Sequence, residues 1–303
     1  MTNIFDKDEM KKQTGGIVSK NSTLQNVISV ENYILQTAPL PITYDVNRPQ
    51  NWYFNEYTYT EFMGGIAISP MNDEMACRNI ISAMKRQTSF DVEQAIYDRL
   101  EKNGTLDKYT LTDMPSKKWK HVIILPGTNL LPTHISKEII SRLMWEYGDN
   151  IALKPHPLTH EQDVIQMGKD FGKHRVIPAN VSGWEVIKHA DTVYTTSSTE
   201  LAMYACLFGK AVKTIGSVFF ERTGSYYPTF MHIAGMTPRT ARKNLLKILK
   251  SNSSGIVFGE DPNYEEKVDT FFKQTLKLRH KFKPIVYNSF SYPNRNVKKE
   301  EQK

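Results

Sequence analysis

The chain has 303 residues, of which 40% are hydrophobic and 23% charged, a balance that suits one large or two medium globular domains. No run of about eighteen apolar residues occurs, so no membrane-spanning helix is expected. The 39 Lys and Arg outnumber the 32 Asp and Glu to leave a net charge of +7. That excess favours an anionic partner without choosing among DNA, a charged glycan and an anionic membrane surface.

Residues 1–25 are polar and aperiodic and read as a mobile arm without the apolar core of a secretion signal. Val27 to Leu35 fits a strand or a short helix. The aromatic run from Trp52 to Phe62 favours β structure, and Gly64-Gly65-Ile-Ala-Ile-Ser reads as a strand with a glycine entry. Helical periodicity marks Asp73 to Arg86 and Phe90 to Lys102, before a linker at Pro115 to Lys118.

From His121 the pattern becomes regular. Val122-Ile-Ile-Leu-Pro is a buried strand, and Ile135 to Tyr147 a helix capped by Thr133. A strand at Asn150 to Lys154 precedes a helix from Thr159 to Phe171, with Thr159 and Gln162 as a capping box. Arg175-Val-Ile is a short strand, and Ser182-Gly-Trp-Glu185 opens the next helix with a second box. A strand at Thr192 to Thr195 leads to a helix from Ser198 to Phe208 that ends at Gly209. Ala211 to Ile215 is a strand, and Pro238 to Lys250 a helix with proline in its first turn. Strands alternating with helices predict an α/β fold with doubly wound parallel sheets. The divisions expected are an N-terminal domain at 1–116, a nucleotide-binding domain at 117–280 and a tail at 281–303. Cys77 and Cys206 fall in Ala- and Met-rich helices and read as buried packing. Two cysteines make no disulfide framework, so a cytoplasmic location is the expectation.

Two segments carry the chemistry. In Lys154-Pro155-His156-Pro157 the prolines fix the chain as it leaves the sheet and hold His156 at its edge. Histidine can donate to a phosphate, and lysine can neutralise one. The same prolines would also serve a stiff connection in which the histidine only caps. Thr195-Thr-Ser197-Ser198-Thr199-Glu200 offers hydroxyls and free amides at a helix start to phosphate oxygens, with Glu200 as an acceptor for ribose hydroxyls. Ser197 and Glu200 equally spell a capping box that needs no ligand. Leu125-Pro126-Gly127-Thr128-Asn129 follows the first of these strands, and Gly127 lets backbone approach a ligand, with Thr128 beside it. Neither G-x-G-x-x-G nor a Walker sequence is present, which argues against a dinucleotide oxidoreductase and a P-loop ATPase. Two polar strand ends in one parallel sheet point to a phosphorylated ligand such as a nucleotide or nucleotide-sugar.

The order of these three segments, with His189-Ala-Asp-Thr-Val-Tyr-Thr-Thr-Ser-Ser-Thr-Glu-Leu-Ala running on to Val212, resembles the donor-binding half of GT-B glycosyltransferases. It is most similar to the bacterial group of capsule Kdo transferases, polysialyltransferases and CDP-glycerol polymerases, over roughly residues 120–250. The resemblance implies that His156 and Pro157 match a His-Pro motif, and Ser197, Ser198 and Thr199 a hydroxyl motif. Together these motifs hold the nucleotide phosphates and ribose. It also implies two Rossmann-like domains facing a cleft. The paired acidic motif of the sialyl members has no clean counterpart here, Glu61-Phe-Met-Gly64 being the nearest.

An inverting transfer needs a carboxylate to take the acceptor's proton. Candidates are Asp45, Glu56, Glu61 and Asp73, with Glu61 and Asp45 ahead, although each also suits a solvated surface. Arg222 and Tyr226, with Tyr227, lie in a loop after a strand end and are candidates for binding the acceptor. No metal site is expected: Asp6-Lys-Asp8, the sole D-x-D, lies in the arm, and no Cys/His cluster has zinc spacing. The expectation is therefore a glycosyltransferase that uses a nucleotide-sugar as co-substrate, without cofactor, on a polymeric anionic acceptor. That acceptor is a capsule or lipopolysaccharide glycan, or a hydroxymethylated base in phage DNA. A nucleotide-sugar epimerase and a non-catalytic nucleotide-binding protein are the rivals.

Overall fold

The computed structural model describes residues 24–44, 57–70, 73–103, 115–126, 135–157, 159–196, 199–216 and 227–279. Two four-stranded sheets organise them.

The second sheet is wholly parallel. Its strands are β4 (His121–Ile124), β5 (Ile151–Lys154), β6 (Thr192–Thr195) and β7 (Ala211–Thr214), in the order β5-β4-β6-β7. Val176 bridges Leu153 in parallel, and the Ile177 amide donates to the Leu153 carbonyl at 2.9 Å, so a fifth segment extends the sheet past β5. The expected strand at 175–177 is thus one bridge following a 3-10 turn at Lys173–Arg175.

Side chains alternate along each strand and so face two separate cores. Val122, Ile124, Ala152, Val193 and Val212 join one cluster. There they meet helices α6 (Gly183–His189) and α7 (Leu201–Leu207). Ile123, Leu125, Ile151, Leu153 and Tyr194 join the other, under α4 (Lys137–Tyr147) and α5 (Glu161–Phe171). Helices on both faces make the sheet doubly wound, as the alternation predicts.

The first sheet has the order β1 (Ile42–Tyr44), β2 (Tyr57–Phe62), β3 (Gly65–Pro70) and β8 (Ile256–Val257). The β1–β2 pair is parallel, whereas β2–β3 and β3–β8 are antiparallel. Its helices are α1 (Leu24–Thr37), α2 (Asp73–Ala83) and α10 (Tyr264–Arg279), and α3 (Val92–Asn103) reaches it through Arg99, which donates to the Gly64 carbonyl. Val27 to Leu35 is therefore helix. Strand β8 returns from beyond α8 (Tyr227–Ala234) and α9 (Pro238–Leu249), so the first sheet draws on both ends of the chain.

Helix starts differ in detail from the sequence reading. Helix α4 begins at Lys137, and the Ser136 hydroxyl accepts the Ile139 amide at 3.2 Å, so Ser136 rather than Thr133 is its cap. Helix α5 begins after His160 without a side-chain cap, and α6 begins after Ser182 in the same way. Neither expected box forms there. Cys206 is buried and its thiol is pushed up to about 12 by burial, whereas Cys77 is only half-buried.

Candidate functional site

The parallel register brings the polar strand ends together. Ile124 lies between Lys154 and Thr195, and Thr195 pairs with Thr214. Residues 125–126, 155–157, 196 and 215–216 therefore leave one edge of the sheet. Between β4 and β6 the direction of winding reverses, and ligands of such sheets sit in the crevice at that point. Leu125-Pro126 and Thr195-Thr196 flank it.

A further loop, 178–182, joins this edge. The Lys154 ammonium donates to the Ala179 carbonyl at 2.9 Å and to the Pro155 carbonyl at 2.6 Å. Gly183 packs so closely on Leu201 that a Cβ there would stand 2.5 Å from the leucine Cδ1, so any side chain would push Leu201 aside. This close approach sets Ser182 beside the head of α7. The strand-then-polar pattern Val176-Ile177-Pro178-Ala179-Asn180 carries the signal for this loop, weakened by the brevity of the strand.

Each expected residue has a definite place or falls outside the described residues. Lys154 is 2% exposed and turned into the protein, where its charge ties two loops together. Its ammonium thus joins the loops after β5 and after Ile177. His156 is half-buried, and its carbonyl accepts the Thr159 amide at 2.9 Å, closing a tight turn after β5. The Thr199 hydroxyl accepts the Leu201 amide at 3.3 Å, and the Glu200 carboxylate accepts the Met63 amide from the first sheet. Glu61 lies on β2 opposite Ile66. Asp45, Glu56, Gly127, Thr128, Ser197, Ser198, Arg222 and Tyr226 lie outside the described residues.

Three hydroxyls near this edge are buried with no hydrogen-bond partner among the described residues: Thr195, Thr159 and Ser182. Buried hydroxyls are nearly always paired, and leaving one unpaired costs about 1–3 kcal/mol. Their gathering at one strand edge marks it as polar and suited to a polar ligand. Among the described residues no three His, Cys, Asp or Glu side chains are grouped to hold a metal ion.

A hairpin from the first sheet closes the site's other side. Met63 and Gly64 form the β2–β3 turn with φ of 51° and 81°. The Met63 amide reaches Glu200, and the Gly64 carbonyl accepts from Arg99, which also pairs with Glu260. Phe62 stacks on Phe230 of α8 with centroids 4.8 Å apart.

The opposite edge of the second sheet differs in charge. His189 stands there among Lys118, Lys188 and Lys210, and burial together with those lysines lowers its pKa, against Glu185. His121 is also held below its ordinary 6.5, chiefly by burial.

No protein-family model and no curated protein sequence matches the chain. Solved structures with a similar outline include the beta Kdo 2,4 transferase KpsC of Thermosulfurimonas dismutans, at 12% identity and a TM-score of 0.40, covering 84% of this chain and 97% of that one. A complex of S. aureus MnaA with UDP is similar at 12% identity and 0.34, over 86% and 80% of the two chains. The glycotransferase of kitacinnamycin is similar at 11% identity and 0.30, over 86% and 81%.

Proposed function

We propose that the chain is a glycosyltransferase of GT-B type that moves a sugar from a nucleotide-activated donor to a polymeric anionic glycan. The observation that carries this reading is that β5, β4 and β6 end in register at one edge of a doubly wound sheet whose winding reverses between β4 and β6, with Lys154, Thr195 and Thr196 at their ends and His156 just beyond. Residues 117–250 would hold the donor and the first sheet would face the acceptor.

In this reading His156 donates to the donor phosphates, with Thr199 and the adjoining Ser197 and Ser198 as further donors. Glu200 accepts from the ribose hydroxyls. The acceptor hydroxyl attacks the anomeric carbon as the bond to the nucleotide phosphate breaks, and a carboxylate takes the hydroxyl's proton. Glu61 is the candidate base because it lies two residues from Met63, whose amide Glu200 holds. Donors at the phosphates stabilise the negative charge that builds on the leaving nucleotide. The nucleotide-sugar is a co-substrate, and neither a cofactor nor a metal has a role in the scheme.

A thermal-shift panel of UDP, CMP, CDP, GDP and their sugars tests the donor. One nucleotide should raise the melting temperature, and His156→Ala should weaken its binding without unfolding the protein. A folded His156→Ala variant of unchanged affinity would overturn the phosphate role. Mass spectrometry of glycan fragments after incubation with pooled nucleotide-sugars then tests transfer. A gain of one sugar on the glycan supports the reading. A gain on hydroxymethylcytosine DNA, or conversion of the nucleotide-sugar with no transfer, would overturn it.

A further inference from the structure

The β2–β3 turn is gripped from two directions. On one side the Glu200 carboxylate at the head of α7 accepts the Met63 amide. On the other Arg99 donates to the Gly64 carbonyl, and its remaining donors form a two-point pair with Glu260. The guanidinium lies 5.8 Å from the centre of the Phe258 ring, just after β8. Arg99 is 5% exposed and Met63 fully buried. Methionine rarely adopts a positive φ and keeps one only where its surroundings over-determine it. Four segments distant in sequence, at 62–65, 99, 200 and 257–260, thus meet at one turn.

We propose that Arg99 and Glu260 position the nucleotide site, acting through the Met63–Gly64 turn on the carboxylate of Glu200. The inference rests on the reading of the β4–β6 crevice as a nucleotide site. The bond from the Met63 amide fixes the direction of the Glu200 carboxylate, and a carboxylate so held is the acceptor that ligand hydroxyls would meet. The planar fork of Arg99 fixes the Gly64 carbonyl in direction as well as distance, which a lysine cannot do. Binding and turn order are then linked: whatever loosens the turn weakens the ligand, and the ligand tightens the turn. Neither Arg99 nor Glu260 touches the ligand, so both are positioning residues.

The test uses the full chain, with the nucleoside diphosphate that most raises the melting temperature of the wild type as probe. Calorimetry gives affinity, and hydrogen exchange of the segment 62–66 gives turn order. Arg99→Gln should weaken the nucleotide about tenfold and speed exchange of the turn, and Arg99→Lys should not rescue it. Glu260→Gln keeps a neutral acceptor and should lose about threefold, which provides a second variant should Arg99→Gln not fold. The nucleotide should slow exchange at 62–66 in the wild type. A purely structural role would lower the melting temperature and leave affinity in the folded variants unchanged, and that result overturns the proposal while the nucleotide site stands. A wild type that binds none of the nucleotides removes the site and this inference together.

Discussion

The two sheets reach stability by different routes. In the second, consecutive strands and helices pack against one another, and both faces of the sheet are apolar. The first is assembled from segments at 42–70 and 256–257, and buried polar contacts join its distant parts. Tyr59 donates to Glu31 at 2.8 Å, Tyr57 and Thr275 share a hydrogen bond of 2.8 Å, and the Asn79 amide donates to the Ser253 carbonyl at 3.1 Å. Lys267 and Asp261 form a fully buried ion pair. Apolar packing tolerates many arrangements, whereas a buried polar group is satisfied in few. The first sheet therefore has its long-range pairing specified by hydrogen bonds, and the second by local alternation.

The largest effect expected from breaking this contrast is at the ion pair. Lys267→Met removes the cation that pairs with Asp261 in the core and should cost about 3–5 kcal/mol, read from the urea midpoint. The double variant Lys267→Met with Asp261→Leu should recover much of that loss. Recovery that fails would mean the pair specifies the fold and does not merely avoid a lone charge.

Next in size, Leu153→Ala removes a fully buried side chain from the second sheet and should cost about 3 kcal/mol, through lost burial and the cavity left behind. No partner exchange should rescue it, since shape alone is lost.

A smaller effect separates site from scaffold. Ser182→Ala deletes a buried hydroxyl that has no partner among the described residues, so stability should hold or rise by about 1 kcal/mol. Nucleotide affinity should nevertheless fall severalfold. A loss of stability without loss of affinity would assign the hydroxyl to the scaffold.

The smallest effect is in pH dependence. Burial holds His121 below 6.5, so the unfolded chain binds more protons than the folded one on acidification. Its contribution is complete above pH 6.5 and is lost as pH falls through 6.5 towards the folded value. His121→Gln should flatten the urea midpoint over that interval. A wild-type midpoint that does not move there would show that the burial is not felt.

Much of the second sheet was legible in the sequence. Thr192 to Thr195 is a strand as read, and the polar strand ends meet at one edge because parallel strands in register must end together. The direction of a side chain was not legible. Lys154 continues the alternation of its strand inward, and only the arrival of Ala179 shows that its ammonium braces two loops. The capping boxes expected at Thr159 and Ser182 do not form, because a hydroxyl near a helix start has rival partners and the local sequence does not say which it takes. Helix α10, by contrast, carries a plain signal in Val268, Phe271, Phe272 and Thr275, spaced to line one buried face.

Local pattern determined the alternation of strand and helix, the two apolar faces of the second sheet and the polar ends of its strands, since each depends on residues a few positions apart. The return of β8 to the first sheet, the burial of Lys154, and the meeting of Met63, Arg99, Glu200 and Glu260 at one turn were decided only by tertiary structure. The contacts at that turn join residues from about 35 to 160 positions apart. A two-residue strand has no periodicity to read, and a buried charge finds its partner only once the chain between them has folded.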